Sequence, residues 1–266
     1  MSGSTFNDII AGVKGEGGEF KAQIPATWMQ GRATFGGLVA AVAVEALRKT
    51  LGDNKPLRAI QVLFVAPVGI EPIDIKVKTL REGRNVTSMQ AEVIQEGGVC
   101  CSVLASFGAA RESVLSVSAP QRPKVSPPEE LSPFVYVEGK TPGFTKNFDM
   151  RWAKGARPFS ACKDTEHGIW TRFTEPGAAS ILHLIALADI PPPIGISMLS
   201  NFAPGSSLTW SLEFVDDIWE AQVDDWWYIK TELAHMSHGY GHQEYEIWAP
   251  DGKPVALGRQ VMTVFA

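Results

Sequence analysis

The sequence is poor in cysteine and has no excess of positive charge. Its three cysteines, Cys100, Cys101 and Cys162, are odd in number and lack the spacing of a metal site. This pattern predicts reduced packing residues rather than a disulfide framework. The formal net charge of −5 excludes a global positive field that would attract nucleic acid or an anionic membrane. We therefore expect any polyanionic ligand to bind at a local basic patch.

Two kinds of hydrophobic segment are also missing. The first twenty residues contain no basic region followed by an apolar core, so they predict no secretory signal. The richest apolar stretch, LVAAVAVEAL, is ten residues long and contains Glu45, which makes it too short to span a membrane. With 45% hydrophobic and 20% charged residues, the composition is that of an ordinary globular protein. We expect a water-soluble, cytoplasmic protein that binds neither membranes nor nucleic acid.

The first half of the chain predicts one buried helix followed by four strands. The helix should begin with Thr34 as its N-cap, continue through Phe35, Gly36 and Gly37, and end near Gly52. Its apolar residues surround most of the circumference, which is typical of a helix that is covered on all sides. The strand candidates that follow are LRAIQVLFVAPV, PIDIKVKTL, VTSMQAEVIQ and VCCSVLASFGAA.

The second half predicts the same order of elements. A helix candidate, AASILHLIALAD, contains His183 as a core residue and cannot continue into the three prolines at 191–193. The four strand candidates after it are SLTWSLEFV, DWWYIKTELA, GHQEYEIWA and VALGRQVMTVF.

Residue offsets support a duplication. Glu45 aligns with Asp189 at an offset of 144, and Gly98 aligns with Gly252 at an offset of 154. The offset changes by ten residues between these two pairs, which is what differing loop lengths would produce. A proline-rich stretch between the halves predicts a linker. The predicted organisation is a domain over 1–113, a linker over 114–142 and a second domain over 143–266.

Several motifs resemble one enzyme family. The first half contains GRATFGGLVAAVAVEAL, QVLFVAPVGIEPIDIKVKTLREGR and AEVIQEGGVCCSVLASF, and the second contains ALADIPP and VALGRQVM. Together they resemble the acyl-CoA thioesterase II family, the TesB-like double hot-dog enzymes. The resemblance implies an α+β fold of two tandem hot-dog units, in each of which an antiparallel sheet wraps a helix. It also implies hydrolysis of an acyl-CoA to a free acid and CoA, with no metal or other cofactor.

The resemblance places the catalytic group on three side chains of the second half. Its aspartate falls on Asp189, its glutamine on Gln260 and its hydroxyl on Ser207, with Thr209 on the same strand face as a substitute. A carboxylate on an apolar helix can deprotonate a water, and the hydroxyl and amide can hold that water in place. The alternative for Asp189 is a structural acid at a helix end. For the other two it is an ordinary polar residue on a half-exposed strand.

The resemblance also suggests where the rest of the substrate binds. The helix start at Gly36 and Gly37 offers backbone N–H groups to the oxyanion, and in the family it faces the aspartate of the other half. The alternative for these glycines is close packing of the helix. The candidates for the phosphates of CoA are Arg81, Arg84 and Arg32, which could equally be solvated surface residues. Glu45, the repeat partner of Asp189, is interpreted as a structural acid.

Other functions are weaker matches. His235, His238 and His242 lie on a predicted strand, turn and strand, so they do not predict a metal site. A non-catalytic acyl-CoA binding protein stays open, because Ser207-Leu208-Thr209 departs from the family's usual threonine followed by Asp-His. An enoyl-CoA hydratase is less favoured, since neither helix has a nearby Asp-x(4)-His. Assembly into a homo-oligomer through the sheets is also left open.

Overall fold

A computed structural model of the protein describes residues 4–52, 55–215 and 220–266. The chain forms two compact units, each built from three stretches of sequence. The first unit comprises Met1–Ser118, Val137–Lys146 and Ser180–Ala186. The second comprises Ala119–Tyr136, Asn147–Ala179 and Leu187–Ala266. The predicted domain boundaries at 113 and 142 stay a prediction. In the described part of the chain no helix is both long and apolar enough to cross a membrane.

The first unit consists of an antiparallel sheet and a buried helix. The sheet order is β1-β2-β6-β7-β8-β5, and β3 and β4 form a separate hairpin. Its elements are α1 (Phe6–Ala11), β1 (Lys14–Glu16), β2 (Glu19–Ala22), β3 (Met29–Gln30), β4 (Ala33–Thr34), α2 (Gly36–Leu51), β5 (Leu57–Phe64), β6 (Ile73–Glu82), β7 (Val86–Gln95) and β8 (Gly98–Gly108). The predicted helix and its four following strands are confirmed, while α1 and the hairpin β1-β2 were not predicted.

Helix α2 is the buried helix of this unit, but its cap differs from the prediction. Its N-cap is Phe35, because the Thr34 hydroxyl donates to the carbonyl of Val68 at 2.9 Å instead of capping the helix. The helix ends at Gly52, whose φ of 68° is the left-handed conformation that glycine adopts without strain. All residues from Gly37 to Val44 are buried, which confirms that the helix is covered on all sides.

The strands of the first unit bury one face. On β6, Ile73 and Ile75 are buried while Asp74 and Lys76 are exposed, which is the alternation of a strand with one covered face. The turn between β7 and β8 has positive φ at both central residues, Glu96 at 52° and Gly97 at 80°. This is the two-residue turn whose twist suits a tight hairpin.

The second unit repeats the arrangement of the first. Its sheet order is β9-β10-β12-β13-β14-β11, which matches that of the first unit strand for strand. Its strands are β9 (Phe148–Lys154), β10 (Glu166–Phe173), β11 (Gly205–Phe214), β12 (Trp227–Ser237), β13 (Tyr240–Trp248) and β14 (Pro254–Val264). Two helices precede β11 in the chain: α3 (Ile181–Ala188), most of which belongs to the first unit, and α4 (Ile194–Ser197), which belongs to the second. The predicted repeat of one helix and four strands is therefore confirmed in its order.

Helix α3 is shorter than predicted. Residues 178 and 179 do not begin it, because Ala178 forms a β-bridge with Gln222 and the Ala179 N–H donates to the carbonyl of Ala221. The helix starts after Ser180, whose hydroxyl lies 2.8 Å from Nδ1 of His183. His183 is 2% exposed, so it is a core histidine as predicted.

The proline-rich segment packs against the outer face of the second unit's sheet. Trp170, Tyr228 and Trp248 stand side by side on β10, β12 and β13. The indole N–H of Trp170 donates to the Ser126 carbonyl at 2.9 Å, and that of Trp248 donates to the Pro120 carbonyl at 3.0 Å. Residues 119–136 thus form a strap that is fixed by side-chain hydrogen bonds, to which Arg151 adds one to the Leu131 carbonyl at 2.8 Å.

The inner face of the same sheet carries buried polar side chains. His167, Thr231 and Tyr245 pair in register on β10, β12 and β13. Within the described residues their side-chain polar atoms have no hydrogen-bond partner. Burial lowers the pKa of His167 to about 4 and that of His183 to about 4, so both rings are neutral at pH 7.

We expect stability to fall as the pH drops from 7 to 5. Each folded pKa of about 4 lies below the usual 6.5, so the unfolded chain binds protons first and acidification favours unfolding. One such histidine should cost about 2 kcal/mol over this range. Urea melts at several pH values would measure the slope. It should become shallower in His167→Leu, and an unchanged slope would contradict the assignment.

A glycine of β14 is required by its neighbour. A Cβ at Gly258 would lie 2.2 Å from Cε2 of the buried Tyr245 and 2.9 Å from the Ser211 carbonyl oxygen. Gly258→Ala should therefore lower the free energy of unfolding by about 1–3 kcal/mol. Gly98→Ala is the matched control, because a Cβ there meets nothing closer than 3.8 Å. It should change stability by less than about 0.5 kcal/mol, and equal melts for the two variants would count against this packing.

Candidate active site

Asp189 follows the last residue of α3 directly, at a point where the helix cannot continue. The Ile190 N–H donates to the Leu187 carbonyl and closes a final tight turn. Three prolines then exclude further helix, and the chain resumes as α4 at Ile194. Asp189 is half-buried. The helix end thus holds its carboxyl group at the margin of the core.

Gln260 lies on β14, the strand between β11 and β13. The register pairs it with Trp210 on one side and with Gln243 on the other. Directly paired residues of antiparallel strands project from the same face, so Trp210, Gln260 and Gln243 share the inner face. Gln260 is 5% exposed and Gln243 is 1% exposed.

A β-bulge decides which hydroxyl reaches Gln260. Ser207 pairs with Met262 and Thr209 pairs with Val261, so Leu208 is an extra residue in β11. Met262 lies on the same face as Gln260 and Val261 lies on the opposite face. The expectation that Thr209 shares the face of Ser207 is therefore wrong, because the bulge resets the alternation between them. The Thr209 side chain is exposed to solvent.

The side-chain amide of Gln260 joins the two other predicted residues. Its Nε2 donates to Asp189 Oδ1 at 3.1 Å and to Ser207 Oγ at 2.8 Å. Both N–H bonds of the amide are thus used, and Asp189 and Ser207 act as acceptors. The Ser207 hydroxyl can still donate its own hydrogen bond to a further partner. The structure brings together Asp189, Gln260 and Ser207, whose catalytic roles stay a proposal.

Gln243 belongs to the same hydrogen-bond network and was not predicted. Its Nε2 donates to Oε1 of Gln260 at 3.4 Å, and its Oε1 accepts from the Ile194 N–H at 3.3 Å. The signal was present in the sequence, because Gln243 occupies an apolar position in the alternation of β13, with Tyr245 and Ile247 as its buried neighbours.

Tyr245 lies near this network and stays protonated. Burial raises its pKa well above the usual value, and the charges of Asp189 and Glu213 raise it further. A neutral phenol beside Asp189 keeps this wall of the site free of a second negative charge.

The predicted oxyanion residues begin α2 in the first unit. Gly37 is buried, and a Cβ there would lie 2.8 Å from the Phe35 ring and 2.9 Å from the Ala186 carbonyl oxygen. Close packing therefore requires glycine at 37 in any case. The first N–H groups of a helix have no acceptor within it, so a role for Gly36 and Gly37 toward an oxyanion stays a prediction.

The predicted CoA-binding arginines are all exposed residues of the first unit. Arg81 lies near the end of β6, Arg84 lies in the turn to β7, and Arg32 lies in the turn of the β3-β4 hairpin. Their role stays a prediction. Glu45 forms ion pairs with Arg48 at 3.3 Å and Lys49 at 3.7 Å, as a structural acid would.

The histidine string lies on a hairpin, as predicted. His235 on β12 pairs with His242 on β13, and His238 occupies the turn with a φ of 51°. Among residues 4–52, 55–215 and 220–266, no group of three or more His, Cys, Asp or Glu is arranged to hold a metal ion.

Solved structures share this fold along nearly the whole chain. A protein of unknown function with a hot-dog fold from Alicyclobacillus acidocaldarius is 25% identical, with a TM-score of 0.88 over 98% of both chains. An acyl-CoA thioesterase II, TesB2, from Mycobacterium marinum is 18% identical, with a TM-score of 0.77 over 97% of this chain and 98% of its own. The predicted α+β double hot-dog is confirmed.

The sequence itself identifies the family. A family model described as the acyl-CoA thioesterase N-terminal domain matches residues 24–108, and one described as the acyl-CoA thioesterase C-terminal domain matches residues 128–264. The chain therefore belongs to the acyl-CoA thioesterase family. Acyl-CoA thioesterase 2 of Haemophilus influenzae is 38% identical over 77 residues, which are 29% of this chain and 27% of that protein.

Proposed function

We propose that the protein hydrolyses acyl-CoA thioesters to a free acid and CoA, with Asp189 as the base that activates water. The observation that carries the proposal is the convergence of Asp189, Gln260 and Ser207 through one amide group. Membership of the acyl-CoA thioesterase family supports the reaction, and the hydrogen-bond geometry supports the choice of residues.

The proposed reaction is a single displacement by water. Asp189 takes a proton from a water molecule while the water oxygen attacks the thioester carbonyl carbon. The carbon–sulfur bond then breaks, and the proton held by Asp189 passes to the departing sulfur. The acid leaves as a carboxylate and releases its remaining proton to solvent. Gln260 holds the Asp189 carboxylate in place, and the Ser207 hydroxyl donates its free proton to the attacking water or to the oxyanion.

The rest of the proposal concerns ligand and location. The backbone N–H groups of Gly36 and Gly37 would stabilise the oxyanion, and Arg81, Arg84 and Arg32 would bind the phosphates of CoA. We also place the protein in the cytoplasm, where acyl-CoA is present. None of the three cysteines, all of which lie in the described part of the chain, forms a disulfide, which fits a reducing compartment.

Removal of the base should abolish most of the activity. In Asp189→Asn we expect kcat to fall by about 10²–10⁴-fold, because the amide cannot accept the proton of water. Release of CoA thiol from acyl-CoAs of several chain lengths would measure it. Asp74→Asn is the control, since Asp74 is an exposed partner of Lys21 on β6. A loss below about tenfold in Asp189→Asn would sink the assigned mechanism, and a wild type that binds acyl-CoA without releasing thiol would favour a binding protein.

Removal of the Ser207 hydroxyl and removal of the Thr209 hydroxyl on β11 should have sharply different effects on kcat. Ser207→Ala removes the hydroxyl bound by Gln260 and should lower kcat by about tenfold or more, the effect of one lost hydrogen bond. Thr209→Val changes an exposed hydroxyl on the other face and should leave kcat within about twofold. The same thiol assay compares them. A larger loss in Thr209→Val than in Ser207→Ala would contradict the placement by the bulge.

A further inference from the structure

We infer that Gln243 is a positioning residue that fixes the direction in which Gln260 presents its amide to Asp189 and Ser207. Gln243 is 1% exposed, and both ends of its amide have partners. The inference deepens the proposed hydrolase function and rests on it.

The direction of the Gln260 amide matters because its two ends have opposite hydrogen-bonding character. The NH₂ end donates and the oxygen end only accepts, although the two ends have nearly the same shape. With Nε2 toward the site, Gln260 serves both Asp189 and Ser207. If the amide were rotated by half a turn, Oε1 would face a carboxylate oxygen of Asp189. The Ser207 hydroxyl would then donate its hydrogen bond to Oε1 of Gln260, and it could no longer donate to water or substrate.

One backbone group sets the direction of the whole chain of hydrogen bonds. The Ile194 N–H can only donate, so the group 3.3 Å away must be Oε1 of Gln243. This orientation turns Nε2 of Gln243 toward Gln260, where it meets Oε1 at 3.4 Å. The Nε2 of Gln260 is then left for Asp189 and Ser207. Each hydrogen bond in this chain is therefore possible with only one assignment of donor and acceptor, because the chain starts at the Ile194 N–H, which cannot accept a hydrogen bond.

Burial makes this arrangement difficult to replace. Gln243 is 1% exposed and Gln260 is 5% exposed, so little bulk water reaches either amide. Charge-neutral hydrogen bonds in such surroundings are costly to leave unmade. Loss of the Gln243 donor would therefore leave Oε1 of Gln260 without a partner and remove the preference for the productive orientation.

The same short segment supplies both the acid and the reference donor. Asp189 and Ile194 are separated by four residues, three of which are prolines. Proline restricts φ, so the segment has few conformations in which to place the first N–H of α4. The position of Ile194 is thereby coupled to that of Asp189 by the covalent chain as well as by the two glutamines.

The first test removes the amide. Gln243→Leu should lower kcat by about tenfold with KM within about twofold, because the substrate still binds while the Gln260 amide loses its fixed direction. Thr231→Val is the matched control, since it removes a buried hydroxyl without a hydrogen-bond partner among the described residues, on the neighbouring strand β12 and the same face. It should leave kcat within about twofold. Wild-type kcat in Gln243→Leu would overturn the inference.

A double-mutant cycle shows whether Gln243 acts through Gln260. If it does, Gln243→Leu should cause no further loss of kcat in a Gln260→Ala background, because the group that it positions is already absent. Losses that multiply would show that Gln243 acts by another route, and would overturn the inference.

Substitution of Gln243 by glutamate should make kcat depend on pH in a way that a merely structural role would not. Gln243→Glu offers Gln260 a donor only while the new carboxyl group is protonated, so the ratio of variant to wild-type kcat should fall as the pH rises from 5 to 9. The ratio cancels titrations common to both proteins. A flat ratio would overturn the inference, and this near-isosteric variant also serves if Gln243→Leu fails to fold.

The two possible failures are distinguishable. A wild-type protein that releases no thiol from any acyl-CoA would refute the proposed function and leave the positioning to be tested without turnover. The side-chain amide protons of Gln260, followed by ¹⁵N NMR, should exchange slowly in the wild type and faster in Gln243→Leu. Equal exchange in the two proteins would overturn the positioning role itself.

Discussion

The register of three neighbouring strands is the constraint on which the candidate site depends. Strand β14 lies between β11 and β13, so Gln260 has one neighbour on each side and can join a hydroxyl, a carboxylate and a second amide. A slip of one residue would turn Gln260 to the opposite face. The extra residue at Leu208 adds a local correction, because it brings Ser207 to the inner face without disturbing the ladder that follows.

Local sequence patterns were sufficient for one helix and the four strands after it in each half, but not for α1 or the β1-β2 hairpin. The apolar circumference of α2 and the alternation on β6 are properties of adjacent residues, whereas Asp189, Gln260 and Ser207 were selected through the resemblance to a family. The face of Thr209 could not be predicted this way, since the bulge arises from pairing with residues about fifty positions later. Gln243 was missed for a related reason. A glutamine in an alternating strand suggests a solvated position until its parity with Tyr245 and Ile247 is considered.

The sheets of the two units differ in whether the outer face is covered, and this explains why their strands differ in sequence pattern. Strand β6 alternates because one of its faces is exposed, whereas Trp227, Tyr228 and Ile229 on β12 are consecutive and all buried. The strap of residues 119–136 covers the outer face at Tyr228, so a continuous apolar run is stable there. A strap without apolar residues such as Val125 and Leu131 would leave Trp170 and Trp248 without apolar cover on that face. The segment whose composition predicts a linker therefore allows a strand about a hundred residues later, β12, to be apolar on both faces.

The interleaving of the two units has a consequence for how the chain can be divided. The chain passes from one unit to the other five times, and each unit is complete only when all three of its stretches of sequence are present. No single backbone break separates the two units, because a break after Ser118 keeps the second unit whole but divides the first, and a break after Ala186 keeps the first whole but divides the second. The divided unit would then be shared between two fragments, so its refolding would require them to recombine. For this protein, duplication of a sequence has not produced two modules that can be exchanged independently.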